Sequence, residues 1–299
     1  MSSLSERQLK LLQQVETQLK QYVPESESLY KVLWDAMRYS LLDGGKRIRP
    51  LLLLEFCALC GGNAAEALPY ACAIEMIHTY SLIHDDLPCM DDDDTRRGRP
   101  SNHKVFGDDI ALLAGDALLT LAFEIMLEES SADVFGYDRA GRAAFTLAKA
   151  AGYTGMVAGQ VIDLNSEGKK VSVEVLQEMD ARKTGALIVA ACEMGCILGG
   201  ADAEHTEAAR LFAKKIGLAF QIVDDILDVT STTEELGKEV GSDTVNNKST
   251  YVTELGLEQA NLLASELTED AIHALDIFPD SEIRQDVIKL AKYLAVRKK

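Results

Sequence analysis

Residues 74–100 read IEMIHTYSLIHDDLPCMDDDDTRRGRP. Met76, Tyr80, Ile83 and Leu87 recur at three- and four-residue spacing, the period of a helix with one apolar face. Pro88 lacks the amide that would continue that helix, which should therefore stop near Leu87. Asp85 and Asp86 then fall on its last turn, and Asp91 can fold back towards them from the loop. The carboxyl end of a helix carries negative partial charge, so carboxylates are disfavoured there unless a cation joins them. Six aspartates crowd positions 85–94, and Arg96, Arg97 and Arg99 follow at once.

The same conflict occurs in KKIGLAFQIVDDILDVTS, residues 214–231. Asp224 and Asp228 share a helical face about 6 Å apart along the axis, with Gln221 one turn earlier. Like charges at that spacing destabilise a helix unless something neutralises them. The flanks AFQIV and IL are too apolar for a solvated acidic face. A donor set of oxygens, with neither His nor Cys, suits a hard cation, and magnesium is the usual one where phosphate completes the shell.

Between and beyond these stretches the helical period continues. Helices are expected over 5–22, 26–42, 46–60, 64–87, 106–129, 136–160, 173–199, 204–229, 254–274 and 280–296, with breaks at DGG (43–45), CGGN (60–63) and LGGAD (198–202). Strand alternation is essentially missing and no low-complexity linker divides the chain. The expectation is one all-α domain over 1–299, a bundle of about ten or more helices around a central cavity.

The balance of 48 acidic against 30 basic residues, a net charge of −18, disfavours nucleic acid as a partner. No apolar run reaches the roughly 18 uninterrupted residues of a spanning helix, and MSSLSERQLKLLQQVE reads as an amphipathic helix rather than a signal peptide. A cytoplasmic protein without membrane insertion is expected. The six cysteines (57, 60, 72, 89, 192 and 196) lie in mostly apolar helical surroundings and read as reduced core thiols. Cys57-x-x-Cys60 lacks the second half of a zinc site.

Basic residues gather at predicted helix ends and loops: GGKRIRP (Gly44 to Pro50), RKTGA (Arg182 to Ala186), and Lys238 and Lys248 in GKEVGSDTVNNKST. Arg96 and Arg97 could be surface partners of Asp92–Asp94, each pair worth about 0–1 kcal/mol. They also suit a bidentate clamp on phosphate. Two aspartate clusters, each backed by base, are equipment for binding diphosphates through metal.

With GGKRIRP, IHTYSLIHDDLPCMDDDDTRRGRPSNHKVFG, LAGDALL, KTGAL and GLAFQIVDDILD in this order, the chain resembles the short-chain trans-prenyl diphosphate synthases, the farnesyl and geranylgeranyl diphosphate synthase group, through nearly its whole length. It looks most like the bacterial farnesyl enzymes. The resemblance implies a head-to-tail condensation: an allylic diphosphate ionises, isopentenyl diphosphate attacks the cation, and a proton leaves. It implies magnesium, about three ions per site, with manganese an alternative, bound by Asp85, Asp91, Asp224 and Asp228. Asp86 and Asp225 belong to the same catalytic motifs. Arg96, Lys183, Thr184, Gln221, Lys238 and Lys248 would hold the allylic diphosphate. Lys46, Arg49, His78 and Arg97 would hold isopentenyl diphosphate, with Gly45 admitting the backbone close to it. A homodimer is implied as well. Tyr80 lies five residues before Asp85, about 7.5 Å along the helix, and its ring, beside small Ser81, suggests a floor that stops the product at the fifteen carbons of farnesyl diphosphate. The alternative is the twenty-carbon geranylgeranyl diphosphate.

Other readings explain less. Glu75-x-x-His78 has di-iron spacing but no second copy. His84-Asp85 lacks the further histidines of a phosphohydrolase metal pair. A terpene cyclase would mix Asn, Ser and Glu in its second motif, where this chain has DDILD. A non-catalytic partner subunit would have lost the aspartates, and both clusters are intact.

Overall fold

The segment that opens the sequence forms helix α4, Leu68–Asp85, at the centre of the molecule. Eleven of its residues are buried on all sides of the helix, the signature of a core helix rather than a surface one. The architecture is all-α, seen in a computed structural model that describes residues 4–230 and 249–296. Around α4 stand α1 (Glu6–Tyr22), α2 (Lys31–Leu41), α3 (Ile48–Leu59), α5 (Asn102–Phe106), α6 (Asp108–Leu127), α7 (Glu129–Phe135) and α8 (Tyr137–Ala151). The chain continues through α9 (Met156–Ser166), α10 (Val173–Asp180), α11 (Ala186–Gly199), the long α12 (Ala203–Thr230), α13 (Tyr251–Leu255), α14 (Leu257–Ala274) and α15 (Glu282–Val296).

Several expected boundaries move, for local reasons. The run 136–160 is two helices, because the backbone at Gly152 and Gly155 leaves the helical region between them. The run 173–199 is interrupted by a π-helical turn, Ala181–Gly185. A π turn adds a residue per turn, re-aims the side chains it carries and recurs at functional sites; here it carries Lys183 and Thr184. The stretch after the acidic run forms a two-residue antiparallel ribbon, Thr95–Arg96 with Arg99–Pro100, although no strand pattern announced it. Arg97 (φ 55°) and Gly98 (φ 78°) make its turn, with the two left-handed residues that a tight hairpin requires.

Two packing features position the site. Helices α3 and α11 run in the same direction in backbone contact: a Cβ on Gly195 would lie 2.9 Å from Cys57 N, and one on Gly199 2.6 Å from Cys57 O. Their amino ends, which carry Arg47 and Arg49 on one side and Lys183 and Thr184 just ahead of the other, therefore open at the same end of the bundle. Positive helix dipoles favour anions there. Helix α6 is long and apolar enough, by length and composition, to cross a membrane. Here one side of it packs on α4 and α2, and Leu112, Leu113 and Leu127 are exposed.

The glycine contact gives a direct check. Gly195→Ala forces a methyl group into the α3 backbone and should destabilise the fold by about 1–3 kcal/mol, read as a lower urea midpoint. An unchanged midpoint would mean that the two helices are not held at this distance.

Candidate active site

The α4 helix delivers Asp85 to its last turn, and the loop returns so that Asp91 N–H donates to Asp85 O at 2.9 Å. Lys183 of the π turn meets both sides of this corner: its Nζ is 2.6 Å from Asp163 Oδ2 and 3.5 Å from Asp85 Oδ2. Gln160 donates to the other Asp85 oxygen. Gln160 and Asp163 stand three apart on α9, facing the site together. A Cβ on Gly159 would lie 2.6 Å from Lys183 Cα, so α9 lies directly against the π turn. Burial pushes the Asp85 carboxyl up to about 6 despite Lys183 and Arg96 nearby, with Asp91 adding to the rise. Asp91 Oδ1 is buried without a hydrogen-bond partner. A buried oxygen with nothing to accept from, beside a second carboxylate that resists ionising alone, fits a divalent cation.

Asp86, the capping residue, is buried and accepts from Arg96, with Nε at 2.9 Å. Arg96 also reaches Asp93 at 3.2 Å. The surface-pairing reading of Arg96 is met in part: it is paired to Asp93 of the acidic loop and to buried Asp86.

A second cluster lies where the α3 amino end meets the ribbon. Arg47, in a left-handed conformation (φ 48°), is buried and bound to Glu75 at 2.7 Å and Glu16 at 2.7 Å. Glu75 is therefore the counter-ion of Arg47. Arg97 donates to Gly44 O at 2.6 Å, and a Cβ on Gly45 (φ +119°) would lie 2.9 Å from Arg97 Nη2. The positive φ favours glycine there, and a Cβ would press on the guanidinium. Arg49 is lowered from its usual range by burial and by Arg97, and its Nε is buried without a partner. His78 is held well below its ordinary value by burial and by Arg49, Arg97, Arg47 and Arg96. It is a neutral imidazole among cations. Lys46 is exposed at the edge. Cations that depress each other in this way leave room for an anion, and diphosphate has the matching charge.

The second aspartate motif stands near the carboxyl end of α12. Asp225 Oδ2 accepts from Tyr251 N at 2.8 Å, tying α12 to the start of α13. Asp228 is buried and Asp224 is exposed. Buried Asp180 lies at the end of α10 near Tyr251 and Gln221, and burial pushes its carboxyl up to about 6. At Gly217 α12 packs against the π turn, its would-be Cβ 3.6 Å from Gly185 Cα, an ordinary contact. Ion pairs join Asp85 and Asp163 through Lys183, and the Tyr251 amide is tied to Asp225. Thr184 rides on the same turn as Lys183. Lys238 and Lys248 lie outside the described residues.

The sequence reading missed Gln160, Asp163, Asp180 and Tyr251. The first two carried a signal: in MVAGQVIDLNS they are two polar residues three apart in an otherwise apolar helix. Asp180 and Tyr251 did not, because their meeting depends on how α10, α12 and α13 pack. Tyr80 is buried, its ring edge-on to His84 with centroids 5.6 Å apart. His84 bonds Leu112 O at 3.0 Å and rests on Gly115 of α6. Cys89 is exposed and Cys60 half-buried, contrary to an all-core set of thiols; the other four are buried. Cys89 belongs to the acidic loop, where no helix covers it.

Two carboxylate motifs on α4 and α12, with cation clusters at the ends of neighbouring helices, make up the candidate site. Residues 30–283 match the polyprenyl synthetase family, and the chain belongs to that family. It is 52% identical over 266 residues to the heterodimeric geranylgeranyl pyrophosphate synthase large subunit 1 of Arabidopsis thaliana, covering 88% of this chain and 71% of the relative. It is also 52% identical over 267 residues to the geranylgeranyl pyrophosphate synthase of Capsicum annuum, covering 89% and 72%. Among solved structures it is similar to an FPP/GFPP synthase from Zymomonas mobilis, with TM-score 0.86, 37% identity and coverage of 97% and 98%. It is similar too to the geranylgeranyl pyrophosphate synthetase of Pyrococcus horikoshii, with TM-score 0.89, 32% identity and 97% of each chain covered. Enzymes of this family use isopentenyl and allylic diphosphates.

The raised Asp180 carboxyl has a pH consequence. Its folded-state value, about 6, lies above the usual 3.8, so ionisation weakens the folded state as pH rises from about 4 through 6. Asp180→Asn should therefore stabilise the metal-free protein by about 1–3 kcal/mol at pH 8, and most of the gain should vanish near pH 4. Equal urea midpoints for the two proteins at pH 8 would contradict the buried placement.

Proposed function

We propose that the chain condenses isopentenyl diphosphate head-to-tail with allylic diphosphates and releases the twenty-carbon geranylgeranyl diphosphate. The observation that carries the reaction is the corner where Lys183 bridges Asp85 and Asp163 beside the unpartnered Asp91 oxygen. There Lys183, Thr184 and Arg96 hold the allylic diphosphate at the carbon–oxygen bond that breaks. Gln221, Lys238 and Lys248 complete that set. Lys46, Arg49, Arg97 and neutral His78 hold isopentenyl diphosphate, with His78 donating an N–H without adding charge. When bound by Asp85, Asp91, Asp224 and Asp228, magnesium or manganese neutralises charge on the departing diphosphate. The chain supplies no side-chain nucleophile, and the released diphosphate takes the final proton.

Product length rests on two supports. The curated relatives at 52% identity are named geranylgeranyl synthases, which favours twenty carbons over the fifteen suggested by Tyr80. The helix period agrees: Ser81, not Tyr80, lies one turn below Asp85 on its face, and the Tyr80 ring is turned to His84 and α6. The second reading, fifteen carbons, keeps one observation in its favour, the buried bulk of Tyr80. We also infer that two copies pair through α6 and α8, where Leu112, Leu113, Leu127, Tyr137 and Phe145 are exposed, and that the enzyme works in the cytoplasm.

An assay of labelled isopentenyl diphosphate with five-, ten- and fifteen-carbon allylic starters and magnesium should give twenty-carbon product, and a chelator should abolish it. Fifteen carbons would support the second reading, while no elongation from any starter would overturn the reaction. Asp85→Ala and Asp224→Ala should each cut turnover by about 10²-fold or more with unchanged far-UV circular dichroism; normal turnover in either would dismiss the two-motif site. Ser81→Phe should shorten the product, whereas an unaltered product would place the floor elsewhere.

A further inference from the structure

The carboxyl ends of α3 and α11 bring together two cysteines that the reaction does not use. Cys60 caps α3 and is half-buried; Cys196, on the last turns of α11, is fully buried. Their sulfurs are 3.7 Å apart. The backbones are already at the closest approach that glycine allows, since a Cβ on Gly199 would lie 2.6 Å from Cys60 Cβ. Joining the sulfurs requires closure to about 2.05 Å, a shift within reach of side-chain rotation.

We propose that Cys60 and Cys196 are a dithiol modification site that a hydroperoxide closes to a disulfide. The proposal stands apart from the assigned reaction. The two sulfurs share one S–H···S contact, in which Cys60 donates to Cys196, and they differ in their access to solvent. Cys60 is the one that solvent reaches. Its thiolate attacks the peroxide, the O–O bond breaks, and Cys60 becomes a sulfenic acid as the peroxide leaves as water or alcohol. The Cys196 sulfur then attacks Cys60, the S–O bond breaks, and the Cys196 proton leaves with hydroxide as a second water. Two thiols and one hydrogen peroxide give one disulfide and two waters. The cysteines one turn earlier are poor competitors. Burial pushes the Cys57 thiol up to about 12 and Cys192 well above its ordinary value, and both are fully buried.

The bond would join positions 136 residues apart and fasten α3 to α11 at the ends opposite their diphosphate-binding groups. A cross-link over so long a loop restricts the unfolded chain strongly.

The test treats the full-length protein, in a Cys89→Ser background that removes the exposed thiol, with hydrogen peroxide. Thiols are then alkylated under denaturing conditions and the intact mass and linked peptides measured. The expected result is loss of the two thiols, a peptide joining the Cys60 and Cys196 segments, reversal by dithiothreitol, and an unfolding midpoint raised by about 5 °C. Cys57→Ala and Cys192→Ala should still close; Cys60→Ala and Cys196→Ala should not. Retention of every thiol, or a disulfide that survives Cys60→Ala, would overturn the proposal.

Discussion

Carboxylates gathered at the carboxyl ends of α4 and α12 face the negative ends of two helix dipoles and their own mutual repulsion. That conflict organises the site. In the chain alone it is relieved by two borrowed cations, Lys183 between Asp85 and Asp163 and Arg96 on Asp86, and by the Tyr251 amide donating to Asp225. The relief is incomplete, because burial still lifts Asp85 and Asp180 to about 6 and leaves an Asp91 oxygen without a partner. A site so poised gains from a divalent cation and an anion arriving together. The same groups that balance the aspartates are those we propose would hold a diphosphate in company with metal.

Close packing makes this balance possible. Gly45 lies under Arg97, Gly115 under His84 and Gly159 against Lys183, each at a distance that a methyl group would prevent. Further from the chemistry, Gly195 and Gly199 hold α3 and α11 together, so the cations at their leading ends keep a fixed separation. Strain is concentrated here too. Arg47, Asp92 and Arg97 are the only non-glycine residues with positive φ among the described residues, and all belong to the cationic and acidic loops. Held geometry of this kind is what charge stabilisation at an ionising bond requires.

Much of this was legible beforehand, since a helix with aspartates at its carboxyl end and a proline after it can be recognised from spacing alone. The apolar period gave the all-α class, and the family resemblance carried by the two aspartate motifs with GGKRIRP and KTGAL implied the reaction class. Local backbone events were not legible. The π turn at Ala181–Gly185 leaves no mark in the period of 173–199, and the ribbon at 95–100 is too short to alternate. Asp180 and Tyr251 meet only through three helices packed together. Tyr80 shows the limit most clearly. Sequence distance from Asp85 suggested a floor, whereas the helix period puts Ser81 one turn from Asp85 and the Tyr80 ring lies against His84.

The central claim is that the aspartate clusters take a diphosphate only in company with metal. Isothermal titration of inorganic diphosphate into the purified protein, with magnesium and then with excess chelator, tests it most directly. Binding that needs magnesium and disappears in Asp85→Ala and Asp224→Ala is the predicted result. Equal affinity with and without the metal would show that the cations alone form the site, and the account would fail at its first step.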